Sequence, residues 1–285
     1  MPDAAPSAYR EVRGLTRGLA VLRALNAMPG GIGGVSELAH ATGLHRTTVK
    51  RLLETLKAET LVLQKDDGAS YALGFGVRRL SEGYVGADWI DRIAWPAMQA
   101  HQRVLSWPSD VVTPDSGFMI VRESTHRVSL LSQHRAMIGV RLPMLVSAAG
   151  RAWLAACSPE ERKASLALLR ERADSMGALA RDGAYVKRVL RETRRRGYAV
   201  SKGEWELHPK MTSIAFPIVA NGQAIGAINL IMPHGAVSDR EIATRYAPLL
   251  HTLAEEISQG ASGRPWSWWA DLRHAKNHAV KKVYG

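Results

Sequence analysis

Five side chains within GLHRTTVKRLLETLK (43–57) have the chemistry to read a nucleic-acid surface: His45, Arg46, Thr47, Lys50 and Arg51. An arginine fork can hold guanine O6 and N7 together, and a threonine methyl can pack on a thymine methyl in the major groove. For each residue the alternative is a phosphate contact, which positions without specifying sequence. Arg46 and Arg51 suit either role; Lys50, and Lys65 further along, suit the phosphate role better.

These residues need a helix to carry them. Val49, Leu52, Leu53 and Leu56 follow the i, i+3, i+4, i+7 spacing of one helical stripe, so the helix has an apolar back and a basic front offset only by Glu54. Gly43 turns the chain ahead of it. Ala39, small enough for a helix crossing, lies four residues before that glycine, beside Leu38, while Leu44, Val49 and Leu52 supply apolar lock positions after it. Together they form a helix-turn-helix pattern. Residues 61–73 then read as two short strands around Asp66-Asp67-Gly68, a hairpin signal.

Upstream, LTRGLAVLRAL is helical, with Leu15, Leu19, Leu22 and Leu25 on one side. PGGIGG (29–34) interrupts it as a flexible turn, and a short helix covers 35–41. Residues 74–107 are again helical, with a kink or a helix start expected at Pro96. From Ser109 the texture changes: VVT, FMIVRE, VSLL and VRLP read as strands, SAAGRAWLAAC and SPEERKASLALLRER as helices. The second of these opens with a cap residue and then proline at the first helical position. A basic helix is expected over 184–197, then strands in GYAVS, SIAFPIVA and AIGAINLIM, the last two joined by Asn221-Gly222, and a final helix over 239–259. Mixed helices and hairpins predict an α+β domain.

Length and charge set the frame. The chain has 285 residues, enough for roughly two domains, and a net charge of +12, which attracts polyanions. No run approaches the ~18–20 apolar residues of a membrane span, and the N-terminus lacks a signal-peptide core, so a soluble cytoplasmic protein is expected. The single cysteine, Cys157, rules out an intramolecular disulfide and a cysteine-based zinc site; it reads as a small buried hydrophobe, with a reactive thiol as the alternative. The sequence has no G-x-S-x-G, H-E-x-x-H or Walker loop, so no catalytic residue, metal or cofactor is expected and the chain is read as a non-enzyme.

The run from Val12 to about Gly260 resembles the IclR family of bacterial transcription regulators. The resemblance lies in VRGLTRGLAVL, VSELAHATGLHRTTVKRLLETL, LVLQKDDGASYALG, RLPMLVSAAGRAWLA, RRRGYAVS, SIAFPI and AIGAINL. Within the family, VRGLTRGL, GLHRTTV, KRLLETL, LSEG, THR, HRAM and RLP are most similar to the activators of 3-(3-hydroxyphenyl)propionate breakdown. The resemblance implies an N-terminal winged helix-turn-helix domain, a linker helix and a C-terminal GAF-like effector-binding domain. It divides the chain into a disordered 1–11, a DNA-binding domain 12–73, linker helices 74–104, an effector domain 105–260 and a basic, Trp-rich tail 261–285. It also implies a double-stranded DNA operator, a homodimer or dimer of dimers, a small aromatic carboxylate as effector and, for an activator, RNA polymerase as partner; no membrane partner is expected. Thr60 departs from the family by standing where glycine usually follows the recognition helix, so a different entry to the wing is expected.

Matched residue by residue, the resemblance places the effector against Ala148 and Ala149, whose free N–H groups can receive a carboxylate, and against Ser201, Ser213, Asn229 and Ile231. The residues themselves add Arg122, Arg127, Arg135 and Arg141 as possible carboxylate clamps, with Arg135 the first choice and a solvated or interface arginine the better reading for the other three. His126 and His134 read as structural. Two rival readings share much of this pattern. One is a family repressor of another catabolic pathway. The other is a regulator that docks on a membrane or partner through the tail, which carries three tryptophans in four residues.

Overall fold

The computed structural model describes residues 11–80, 89–132 and 136–262. The chain divides into two compact units. The first contains α1 (Arg13–Ala27), β1 (Ile32–Gly34), α2 (Val35–Thr42), α3 (Arg46–Ala58), β2 (Val62–Gln64), β3 (Ser70–Leu73) and α4 (Gly76–Arg79). Val21 and Leu25 of α1, Leu38 of α2, and Val49 and Leu53 of α3 meet Val62 and Tyr71 in one buried core. Gly43 ends α2 in the left-handed conformation at φ 68°, the geometry that glycine adopts without a Cβ penalty. PGGIGG is more than a turn. Pro29–Gly31 is a single 3-10 turn, and Ile32–Gly34 pairs antiparallel with β3, giving a three-stranded sheet in the order β1-β3-β2.

Helix α3 closes with two bonds, Thr60 N–H to the Lys57 carbonyl and Leu61 N–H to the Leu56 carbonyl, the pattern of a left-handed helix end. The entry to the wing therefore keeps the glycine-type geometry, and threonine bears its cost at φ 61°. Thr60→Gly is expected to stabilise this unit by about 1 kcal/mol, read as a higher midpoint in thermal unfolding. An unchanged or lower midpoint would show that the Thr60 side chain repays its strain.

The second unit is built on a six-stranded antiparallel sheet in the order β6-β5-β4-β9-β8-β7. Helix α5 (Trp95–Leu105) precedes β4 (Ser109–Asp115), β5 (Phe118–Ser124) and β6 (Arg141–Pro143). There follow α6 (Ala148–Ala156), α7 (Pro159–Arg170), α8 (Ser175–Arg181), α9 (Gly183–Arg196), β7 (Ala199–Lys202), β8 (Met211–Ala220), β9 (Gln223–Pro233), α10 (Asp239–Glu241) and α11 (Ala247–Ala261). Pro96 follows a π-helical turn, Ile90–Ala94, that runs into α5 with helical backbone throughout, so the proline sits at a π-to-α junction inside one helical run rather than at a free helix start. Ser158 and Glu161 form a capping box at α7.

Strand alternation divides the core in two. Ile214, Phe216 and Ile218 of β8, with Ile228 and Leu230 of β9, face α5 and α11. Ala215 and Ala227 face α6, as do Val112 and Met119. VSLL is not a strand. The Ser124 hydroxyl accepts the His126 N–H, Thr125–Arg127 makes a 3-10 turn, and Leu130 is left 99% exposed. Cys157 is buried, and burial pushes its thiol up to about 11, which fits the inert reading. Among the described residues no helix is long and apolar enough to cross a membrane, and no cluster of three or more His, Cys, Asp or Glu can hold a metal. The readings placed on residues 1–10 and on the tail beyond Ser262 fall outside the described residues.

Candidate DNA-reading helix and effector face

The front of α3 is exposed and its back is fixed: Val49 and Leu53 are fully buried, while His45, Arg46, Thr47, Lys50 and Arg51 are open. These five side chains differ in freedom. His45 caps the helix, with Nδ1 accepting the Thr47 N–H, and its ring lies 2.8 Å from the Thr47 hydroxyl. Arg46 donates to the Ser36 hydroxyl of α2. Lys50 donates to the Tyr71 hydroxyl and pairs with Glu54 at 3.1 Å. Glu54 also holds Lys57 at 2.7 Å. Hydrogen bonds from Lys57, Lys50 and Tyr71, in that order, pull Glu54 down to about 2, so it stays charged and keeps both lysines engaged. Arg51 has no hydrogen bond or ion pair from its guanidinium among the described residues. Lys65 is exposed in the turn between β2 and β3.

In the second unit, Ser213 pairs across the sheet with Ser201 on one side and Ile231 on the other, and Asn229 pairs with Ala215. Register therefore places Ser201, Ser213, Asn229 and Ile231 on the face that α6 covers. These positions are already engaged in part. The Ser201 hydroxyl lies 2.7 Å from the Val146 carbonyl and 2.8 Å from the Glu204 carboxylate, one proton shared between two acceptors, and Asn229 Oδ1 accepts the Asp110 N–H at 2.9 Å. Ala148 and Ala149 begin α6 and are fully buried, and the Ser147 hydroxyl accepts the Gly150 N–H there. Arg135 lies outside the described residues. Arg122 donates to Thr113, Arg127 stands over the Trp95 ring, and Arg141 stands over the Phe118 ring.

Two groups escaped the sequence reading. Asp110 is buried on the same sheet face, with the His126 ring 3.8 Å away. A cavity of about 540 Å³ also opens beside β6, α8 and the 204–207 segment, and none of the sheet-face residues lines it. A lone acid at the start of SDVVT was the legible sign of the first. The second has no local signature.

A helix-turn-helix unit with a basic exposed face, followed by a ligand-sized α+β domain, defines a class: a DNA-binding regulator with an effector domain. Residues 14–66 match the IclR helix-turn-helix domain, and residues 113–259 match the C-terminal domain of bacterial IclR transcriptional regulators. The chain belongs to the IclR family. It is 26% identical over 85% of its length to the Pca regulon regulatory protein of Pseudomonas putida, covering 82% of that protein. It is 24% identical over 89% of its length to the transcriptional repressor IclR of Escherichia coli, covering 91% of it. Its fold matches the IclR homologue from Microbacterium hydrocarbonoxydans, crystallised with 4-hydroxybenzoate, at TM-score 0.57 and 22% identity over 87% of this chain and 98% of that one. The Pseudomonas and E. coli relatives are both named as regulators.

Proposed function

We propose that this IclR-family regulator reads an operator through α3 and activates an operon for the breakdown of an aromatic acid of the 3-(3-hydroxyphenyl)propionate kind. The observation that carries the DNA side is Arg51: exposed, unengaged, and fixed to a helix whose back is seated by Val49 and Leu53. Thr47 and Arg51 are the base readers in this reading. His45 and Arg46 set the helix start, and Lys50 and Lys65 serve phosphates. The effector reading keeps Ala148, Ala149, Ser201, Ser213, Asn229 and Ile231 as the site, with Arg135 as clamp. The aromatic acid bound by the Microbacterium homologue supports that chemistry. The proposal includes the division at 12–73, 74–104, 105–260 and 261–285, a homodimer or dimer of dimers, RNA polymerase as partner and a cytoplasmic location. Effector binding would shift the spacing of two recognition helices, and a coupling of about 1–3 kcal/mol suffices for a 5- to 150-fold change in affinity.

Footprinting on genomic fragments that the protein selects, with and without 3-(3-hydroxyphenyl)propionate, tests it. Arg51→Ala is expected to cost about 1–3 kcal/mol on the cognate site and much less on random DNA. An equal loss on all sequences, with a shallower salt dependence, makes Arg51 a phosphate residue. The acid at 100 times its dissociation constant should stabilise the protein by about 2.7 kcal/mol. No shift from it, or from any aromatic acid, overturns the effector reading. The E. coli relative is named a repressor, which favours the second reading, a repressor of another catabolic pathway; transcription that rises on deletion of the gene would select it.

A further inference from the structure

The geometry points to a second small-molecule site, outside the sheet face, that takes an apolar-bodied monocarboxylate. The cavity of about 540 Å³ lies within the size range of ligand pockets. Its body is apolar, formed by Phe118, Val146, Met176, Leu179 and Trp205. Two guanidinium groups flank it on the Phe118 ring, with Arg172 at 4.4 Å and Arg141 at 5.5 Å from the centroid.

The charges around the cavity are not equivalent. Arg172 is spent on Asp174, whose carboxylate takes Nε at 3.1 and 3.0 Å and is held at about 2, first by that arginine. Glu204 is spent on Arg151 at 3.1 Å and on the Ser201 hydroxyl at 2.8 Å. Arg141 has no ion pair or hydrogen bond from its guanidinium among the described residues, so its fork is available to a carboxylate beside the Phe118 ring. Glu206 is the remaining acid at the wall. Its charge opposes a second carboxylate on the ligand and accepts a neutral or hydrogen-bond-donating far end. A flat apolar body with a single carboxylate satisfies all of these groups. This site stands apart from the sheet-face reading and does not depend on it.

Calorimetry on the full chain with 3-phenylpropionate and its amide tests the site. The acid should bind about 10- to 100-fold more tightly than the amide, the worth of a charge-assisted bond. Arg141→Gln, a change at an exposed side chain, should remove that preference at the cavity. Leu179→Trp, which fills the cavity, should abolish cavity binding of both compounds, so that only the binding sensitive to Ser213→Val, on the sheet face, remains. Acid binding whose stoichiometry and strength are unchanged in both variants overturns the site. If that binding is instead lost on Ser213→Val, the acid lies on the sheet face, and the effector reading stands without the cavity. No binding of either compound to the wild type also overturns it.

Discussion

An Asp110→Asn variant is expected to be about 4 kcal/mol more stable than the wild type at pH 8, with the advantage shrinking below about 1 kcal/mol at pH 4. Asp110 lies on β4 with 1% of its surface exposed, and neither carboxyl oxygen makes a hydrogen bond of full geometry among the described residues. Burial pushes the carboxyl up to about 7; Ser124 and Asn229 beside it pull downward and lose. Glu123, half-buried on the neighbouring strand, is pushed up too, by burial first, with the Asp110 charge adding to it. The sign follows from proton counting. Between pH 4 and 7 the unfolded chain loses this proton while the folded chain keeps it, so stability falls as pH rises. An asparagine amide has the shape of the protonated acid and no charge to bury. Chemical denaturation of both proteins from pH 4 to 8 checks this. A variant that tracks the wild-type curve would show a charged carboxylate paired with the His126 ring.

What the sequence revealed depended on whether the signal was local. The recognition helix was legible because a 3.6-residue stripe, a left-handed glycine and a small crossing residue all lie within Leu38–Leu56. The β8–β9 hairpin was legible because Asn221 and Gly222, at φ 51° and 76°, are the residue types that such a turn requires. β1 was missed because IGG has no apolar alternation; its strand character comes from pairing with β3. VSLL was misread as a strand because its β-branched and apolar residues fit one, whereas a hydroxyl at Ser124 turns the chain first. The sheet-face residues could be placed on one face by alternation alone. The cavity could not, since Phe118, Arg141, Val146, Leu179 and Trp205 come from five separate segments and each looks ordinary in its own. Tertiary charge pairing was equally hidden: nothing near Lys50 in sequence announces that Tyr71 will hold it.

Arg151→Ala is expected to destabilise the effector domain by about 2–3 kcal/mol, a loss that falls on function through the loop it holds. Arg151 is 7% exposed on α6, in the middle of SAAGRAWLA, where an arginine would ordinarily turn to solvent. Its fork instead donates to the Leu145 carbonyl at 2.9 Å, the Val200 carbonyl at 2.6 Å, Glu204 at 3.1 Å and the Tyr185 hydroxyl at 3.2 Å. One side chain thus joins the β6–α6 loop, β7, the segment carrying Glu204 and Trp205, and α9. Alanine would take this donor from the Val200 carbonyl and leave the Leu145 carbonyl with the Tyr185 hydroxyl at 3.2 Å. Glu204 would also lose the charge that, with Ser201 and the Lys202 N–H, outweighs the upward push of burial and holds it below the usual carboxylate range. Lysine keeps the charge but has no planar fork to reach four acceptors, so Arg151→Lys should recover less than half of the loss. Thermal unfolding of the three proteins reads the stability. A lysine variant as stable as the wild type would mean that charge alone matters here, and that the 204–207 segment is held by something other than this fork.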